Sequence, residues 1–365
     1  MKKFFALLLA LVMVLSLAAC GGNSSNTTPD TNTNTNTNTN TNTDTNTENT
    51  DSNTENTTPD TVYTIKFTYT IADGEPITEC VHKLGENLEA KSGGRIKCEY
   101  YPSAELATDA GGFELCAQGS NVIAFALPSY LTPYVADVGV VERPFIFNSK
   151  DDLITVDTSD WMEGIRAKLS EQGIRNLSLS WYFGTRHLTY TGDTPVLTPA
   201  DLSNKLMRAA PTATSVKMME AMGAKVTTTP WSEIYSALQQ GVADGCEAPL
   251  STLYNSKTQE VCKNISLDGH TIASWGVCTS EKFFQSLPED LQQLLIDETR
   301  ALAPMAAELV SQGEQDAIKL FEDAGVKIYD NVDVDAFREA CAIFDDSIPG
   351  WGEAVYNEIQ AIINK

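Results

Sequence analysis

The chain has 365 residues, 42% of them apolar, and 25 basic against 49 acidic side chains, for a net charge of −24. The apolar share excludes a largely disordered chain, and no apolar run after residue 20 approaches the ~20 residues a spanning helix needs, which excludes a polytopic membrane protein. An acidic chain without a basic stripe is also a poor partner for nucleic acid.

The chain opens Met1-Lys2-Lys3, and a nearly unbroken apolar run follows from Phe4 to Ala19. This reads as a signal peptide, too short for a comfortable membrane span. It ends Leu17-Ala18-Ala19-Cys20-Gly21, which resembles the bacterial lipobox. Residues 1–20 are therefore expected to be a lipoprotein signal ending at a lipidated Cys20; an ordinary secretory signal with a chance cysteine is the competing reading. Residues 21–61 are almost wholly Asn, Thr, Ser, Asp, Glu and Gly, with a Thr-Asn repeat. They cannot bury apolar surface, so a disordered tether is expected. As a flexible coil it would span roughly 35 Å.

Folded structure is expected from residue 62. Val62 to Thr70 is β-branched and aromatic, a strand; Thr78 to Lys91 is a helix closed by Gly93-Gly94; Arg95 to Tyr101 is a strand. Gly111 to Gly119 is a helix, Asn121 to Leu127 a buried strand, and Leu177 to Phe183 a strand ending in a turn at Gly184. Thr198-Pro199-Ala200-Asp201 carries helix-start residues, with Thr at the cap and Pro at the first position. Lys205 to Ala209, Ala224 to Thr229 and Val242 to Glu247 are strands, separated by helices at Thr214 to Met222 and Trp231 to Gln240. This βαβαβ order predicts a doubly wound α/β sheet. From Pro288 to about Ala324 the pattern is helical, with Pro304 expected to kink it. A last helix pair is expected over 333–346 and 351–363.

In an open α/β sheet, ligands sit beyond the carboxyl ends of the strands. Arg186 and Arg208 fall at such positions. An arginine on a sheet strand needs a carboxylate, either a ligand's or an internal partner such as Glu247 or Asp244. Trp231 stands at a helix start, where it could cover a ligand or pack in the core. Asp244 and Glu247 could be paired catalytic acids, but spacing alone does not set their distance. No Ser/His/Asp order, GxGxxG or Walker loop occurs, so no catalytic centre and no cofactor are expected. After Cys20 seven cysteines remain without any CxxC, which gives no metal signature. Most read as small core residues, with a disulfide left open by the compartment.

Several blocks together resemble the solute-binding proteins of TRAP transporters, the DctP-like receptors. They are Gly93-Gly94-Arg95-Ile96, Tyr101-Pro102-Ser103, Arg143-Pro144-Phe145-Ile146-Phe147, Lys205-Leu206-Met207-Arg208, and above all the run from Trp231 to Gly245, WSEIYSALQQGVADG. The likeness covers roughly residues 64–330. It implies a two-lobed clamshell of the periplasmic-binding-protein type, with mixed sheets and a long helix spanning the lobes. By analogy the first lobe is 62–184 plus 276–314 and the second 185–275 plus 315–365. It implies a binding protein rather than an enzyme, with Arg208 holding a ligand carboxylate. Arg186, Trp231, Glu247, Thr70 and Tyr235 are the further ligand-binding candidates.

There are departures from the family pattern. Glu247 is followed by Ala248 and Pro249 rather than by Asn. Leu127-Pro128-Ser129 lacks the acid of sialic-acid-type members, so a more apolar cleft is expected, which argues against a sugar acid and for a small organic acid with an apolar or aromatic portion. The partners implied are a small carboxylate, the small and large TRAP membrane subunits, and the membrane through the Cys20 lipid, on the extracytoplasmic face. Two other readings are an ABC-type binding lipoprotein or sensor subunit, and a secreted hydrolase using Asp244 and Glu247.

Overall fold

A computed structural model describes residues 61–343 and 353–365. The Cys20 anchor site, the signal and nearly all of the tether lie outside the described residues, as do parts of both C-terminal helices expected from sequence. The strands are β1 (Tyr63–Thr68), β2 (Ile96–Tyr101), β3 (Val122–Ala126), β4 (Ile174–Tyr190), β5 (Leu206–Ala209), β6 (Lys225–Thr228), β7 (Gly245–Pro249), β8 (Asn264–Ser280) and β9 (Lys327–Tyr329). The helices before β5 are α1 (Pro76–Lys91), α2 (Asp109–Ala117), α3 (Asp151–Asp157) and α4 (Asp160–Glu171). Those after it are α5 (Ala213–Ala221), α6 (Ile234–Gln239), α7 (Leu250–Asn255), α8 (Glu281–Ser286), α9 (Glu289–Ala301), α10 (Ala303–Asp323), α11 (Val334–Ala340) and α12 (Glu353–Ile363).

One mixed sheet runs through the molecule in the order β2-β1-β3-β8-β4-β7-β5-β6, with β9 also on β8. Its two ends are parallel: β1 pairs with β2 and β3, and β5 with β6 and β7. The middle is antiparallel, because β4 and β8 are long strands that pair with each other along most of their length. Each end carries its own helices, so the sheet makes two lobes joined by β4 and β8. The expected βαβαβ unit is the second end. In the first, all five residues of β3 are buried, because Ile123 and Phe125 pack into one core cluster and Val122, Ala124 and Ala126 into another on the opposite face.

Four local expectations are corrected. Gly184 is no turn but lies inside β4, with φ at +132° and a register shift between Tyr182 and Gly184. A glycine there bends the strand without ending it, because only glycine reaches such a φ cheaply. The Thr198-Pro199-Ala200-Asp201 start leads only to one 3-10 turn, Pro199–Leu202, with Thr198 and Asp201 forming the capping box. The long helix is not kinked but broken into α9 and α10 at Leu302 (φ −88°, ψ −7°), since Pro304 sits in the first turn of α10, where a missing N–H costs little. The expected helix from Trp231 likewise begins as a 3-10 turn, Trp231–Glu233, before α6.

Helix α10 packs on β4 and α1 on one side and on α7 and β9 on the other, so it spans both lobes. Its Glu314 accepts hydrogen bonds from the Tyr182 hydroxyl (2.7 Å) and from the Thr185 backbone N–H, on either side of Gly184. Helix α12 packs against α3, and the Gln360 side chain donates to the Ile146 carbonyl. All seven cysteines after Cys20 are free thiols, six of them buried. No helix among the described residues is long and apolar enough to cross a membrane.

Candidate functional site

Where the lobes meet lies a cavity of about 400 Å³, part of it open to solvent. It is narrow. Thr70, Ile71, Asp109, Leu127 and Tyr130 line it from the first lobe, Phe183, Arg186 and Trp275 from β4 and β8, and Arg208, Ala210, Trp231, Ala248 and Thr252 from the second lobe. Most of this wall is apolar or aromatic, and Phe183 stacks on Trp275 with centroids 5.2 Å apart. A few convergent polar groups in an apolar cleft are what small-molecule sites present.

Arg208 stands near the end of β5 and is 1% exposed. Its Nε and Nη2 both donate to the Thr229 carbonyl, at 3.0 and 2.6 Å. Its guanidinium carbon lies 5.3 Å from the centre of the Trp231 ring, within cation–π range. Among the described residues no carboxylate forms an ion pair with it, whereas two other buried arginines, Arg166 and Arg186, pair with Asp157 and Glu247. Burial lowers the Arg208 pKa from the usual arginine value. A desolvated cation with only a carbonyl for company is prepared for an anion.

The internal ion pair weighed for Arg208 belongs to Arg186 instead. Arg186 and Glu247 sit on the antiparallel pair β4 and β7, and the guanidinium grips both carboxylate oxygens and the Glu247 carbonyl. Behind them the network continues: His270 Nε2 lies 3.2 Å from Glu247, and His270 Nδ1 lies 2.7 Å from Asp268. Burial alone would raise both carboxyls, but Arg186 and His270 hold Glu247 at about 2, and His270 and His187 hold Asp268 at about 2. Burial alone would lower His270, but Asp268 and Glu247 lift it to about 9.

Four candidates from the sequence thus share the cavity: Arg208, Arg186, Trp231 and Thr70. Glu247 reaches it only through Arg186. Tyr235 does not line it; one helical turn beyond Trp231, its hydroxyl donates to Glu260 at 2.7 Å. Asp244 accepts from the Leu206 backbone N–H (2.8 Å), and neither Asp244 nor Glu247 lines the cavity. Asp109 was not among the candidates, and the expectation of an apolar cleft holds only in part because of it. It opens α2 behind the Thr108 cap and accepts a hydrogen bond from the Thr70 hydroxyl at 2.8 Å. Burial raises its carboxyl to about 6, though Thr70 and Arg208 favour the charged form. Among the described residues no cluster of His, Cys, Asp or Glu is arranged to hold a metal.

The chain shares 28% identity over 262 residues with the C4-dicarboxylate-binding periplasmic protein DctP of Rhodobacter capsulatus, covering 72% of this chain and 78% of that one. Among solved structures it resembles a TRAP periplasmic solute-binding protein of Actinobacillus succinogenes with bound L-galactonate (TM-score 0.79, 28% identity, 82% of this chain and 99% of the other). It also resembles one from Ochrobacterium anthropi with bound L-fuconate (TM-score 0.78, 30% identity, 82% and 99%). The family model for bacterial extracellular solute-binding protein, family 7, matches residues 67–344. With that match, and a clamshell sheet closing on one cavity, the chain belongs to the DctP family of TRAP-type solute-binding proteins.

Proposed function

We propose that the protein captures a small organic acid between its lobes and delivers it to a permease made of small and large TRAP subunits. The observation that carries this reading is Arg208, a buried cation in the cavity that pairs with no carboxylate of the described protein. The relatives' ligands support it, since galactonate and fuconate are carboxylates. The ligand carboxylate pairs with the free side of the Arg208 fork while Trp231 covers its body. Closing the lobes excludes water and strengthens that attraction by lowering the local dielectric. The lobes are 62–184 plus 276–314 and 185–275 plus 315–365, with α12 strapped back onto the first. Lipid on Cys20 and the 21–61 tether hold the receptor at the extracytoplasmic face of the membrane.

Removing the cation tests the reading. Arg208→Ala should weaken acid binding by roughly 10² to 10³-fold, the scale of losing a buried charge partner. Thermal-shift and calorimetric titrations against mono- and dicarboxylates, keto acids, aromatic acids and neutral sugars would read this. A sugar shift that survives Arg208→Ala would make the arginine structural and refute the carboxylate assignment.

A further inference from the structure

Asp109 and Arg208 carry opposite charges, line one narrow cavity from opposite lobes, and yet form no ion pair. Each is held back by a partner of its own: Thr70 donates to Asp109 and the Thr229 carbonyl accepts from Arg208. The second arginine of the wall, Arg186, is already neutralised by Glu247. The cavity therefore offers one uncompensated positive charge at one side and one acceptor carboxylate at the other. Thr70, Thr252 and Tyr130 supply hydroxyls between apolar walls.

We infer that Asp109 is the specificity determinant of this site, accepting a hydroxyl of a monoanionic ligand whose carboxylate sits on Arg208, and rejecting a second carboxylate. This rests on the carboxylate reading above. A ligand hydroxyl is the group that satisfies a buried carboxylate, since it donates where a second carboxylate only repels. An acid without hydroxyls would leave Asp109 desolvated with only Thr70, Tyr130 and its own backbone N–H to stabilise it, and sites built to bond a hydroxyl reject analogues that lack it. The same carboxylate is thus an attraction for one class of acid and a barrier to another.

The test is a carbon-matched series titrated into the purified full-length protein near pH 7.5. Erythronate, threonate, gluconate and galactonate are the hydroxylated monoacids; butyrate and hexanoate are their deoxy matches; succinate and adipate are their diacid matches. The tightest hydroxylated acid should bind at least ~10-fold better than its deoxy and diacid matches. Asp109→Ala should weaken it ~10- to 100-fold, and Asp109→Asn, which keeps the shape and the Thr70 bond, should improve diacid binding relative to the native chain. A diacid or deoxy acid that binds the native protein as well as every hydroxylated acid would overturn the inference, as would an Asp109→Ala variant of native melting temperature and unchanged affinity. In those cases loss of all acid binding in Arg208→Ala would leave the carboxylate reading standing. If no acid of the series binds, or if Arg208→Ala binds them equally well, that reading fails and this inference with it.

Discussion

Arg186 and Arg208 are the same side chain on neighbouring parts of one sheet, and burial treats them differently because only one has a carboxylate across its strand pair. Leu188 of β4 pairs in register with Glu247 of β7, and Arg186 lies two residues away on the same face. Glu247 then recruits His270, and His270 recruits Asp268. The stability this network contributes has a defined pH window. His270 is raised in the folded state to about 9 from 6.5, so its contribution is complete below the lower value and lost as pH rises through the upper. Glu247 and Asp268, held at about 2, contribute stability that is lost only as pH falls towards that value. Asp109, Glu75 and Glu142 are raised by burial to about 6, 7 and 7, so they cost stability that builds up as pH rises from the free carboxyl range to about 7 and then stays nearly constant. Between pH 7 and 9 the native chain should therefore lose roughly 2–3 kcal/mol of stability through His270. His270→Gln should start less stable and show a shallower slope, the remainder coming from the seven cysteines, whose thiols burial raises so that only the unfolded chain ionises them in this range. Melting temperatures of both proteins across pH 7–9 would check this; parallel curves would remove His270 as the cause.

At the scale of elements, readability followed how local the signal was. Caps, glycine stops and residue periodicity marked β1, α1, β2, α2 and the β5-to-β7 unit to within a few residues. Two features could not be read so. Gly184 looks like a turn because glycine usually ends elements, yet β8 runs on beside it and the ladder continues through the bend. Trp231 and Arg208, which line the cavity, could be singled out because both sit at strand or helix ends of one βαβ unit and in blocks that carry the family resemblance. Asp109 and Thr252 were missed because their place at the cavity depends on packing between distant segments. Gly184 also shows why the bend needs that residue: a Cβ there would stand 2.5 Å from the Pro249 Cβ and 3.1 Å from a Glu314 oxygen. Gly184→Ala should cost about 2–4 kcal/mol, from a positive φ plus overpacking. Gly164 in α4 has nothing within 4 Å of a built Cβ and lacks a positive φ; Gly164→Ala should instead stabilise by about 0.5–1 kcal/mol. Urea unfolding of the two variants reads both signs, and equal effects would contradict the role given to glycine in the β4 bend.

For the whole molecule the question is what holds the lobes together over the cavity. Glu75, just before α1 in the first lobe, is 3% exposed, and Thr252, on α7 in the second, is 2% exposed. The Thr252 hydroxyl donates to the Glu75 carboxylate at 2.7 Å. Opening would return both groups to water, so the bond exists only when the lobes are closed. Closing also desolvates the carboxylate; burial raises it to about 7, and Thr252 pulls it back only in part. The latch is therefore weak by construction, which lets ligand binding decide the balance between open and closed forms. Thr252→Val leaves a buried carboxylate without its donor in the closed form and changes nothing comparable in the open one. The penalty is about 1–3 kcal/mol, so the closed population and the apparent affinity should fall by roughly 5- to 100-fold. Glu75→Gln keeps the bond and removes the charge, so it should shift the balance towards closure. Thr252 also lines the cavity, so affinity alone would not separate a lost latch from a lost ligand contact. Small-angle scattering without ligand does separate them: the Thr252→Val protein should be more expanded than the native one and the Glu75→Gln protein no more so. Identical ligand-free profiles for all three would mean that the Glu75–Thr252 bond does not govern closure.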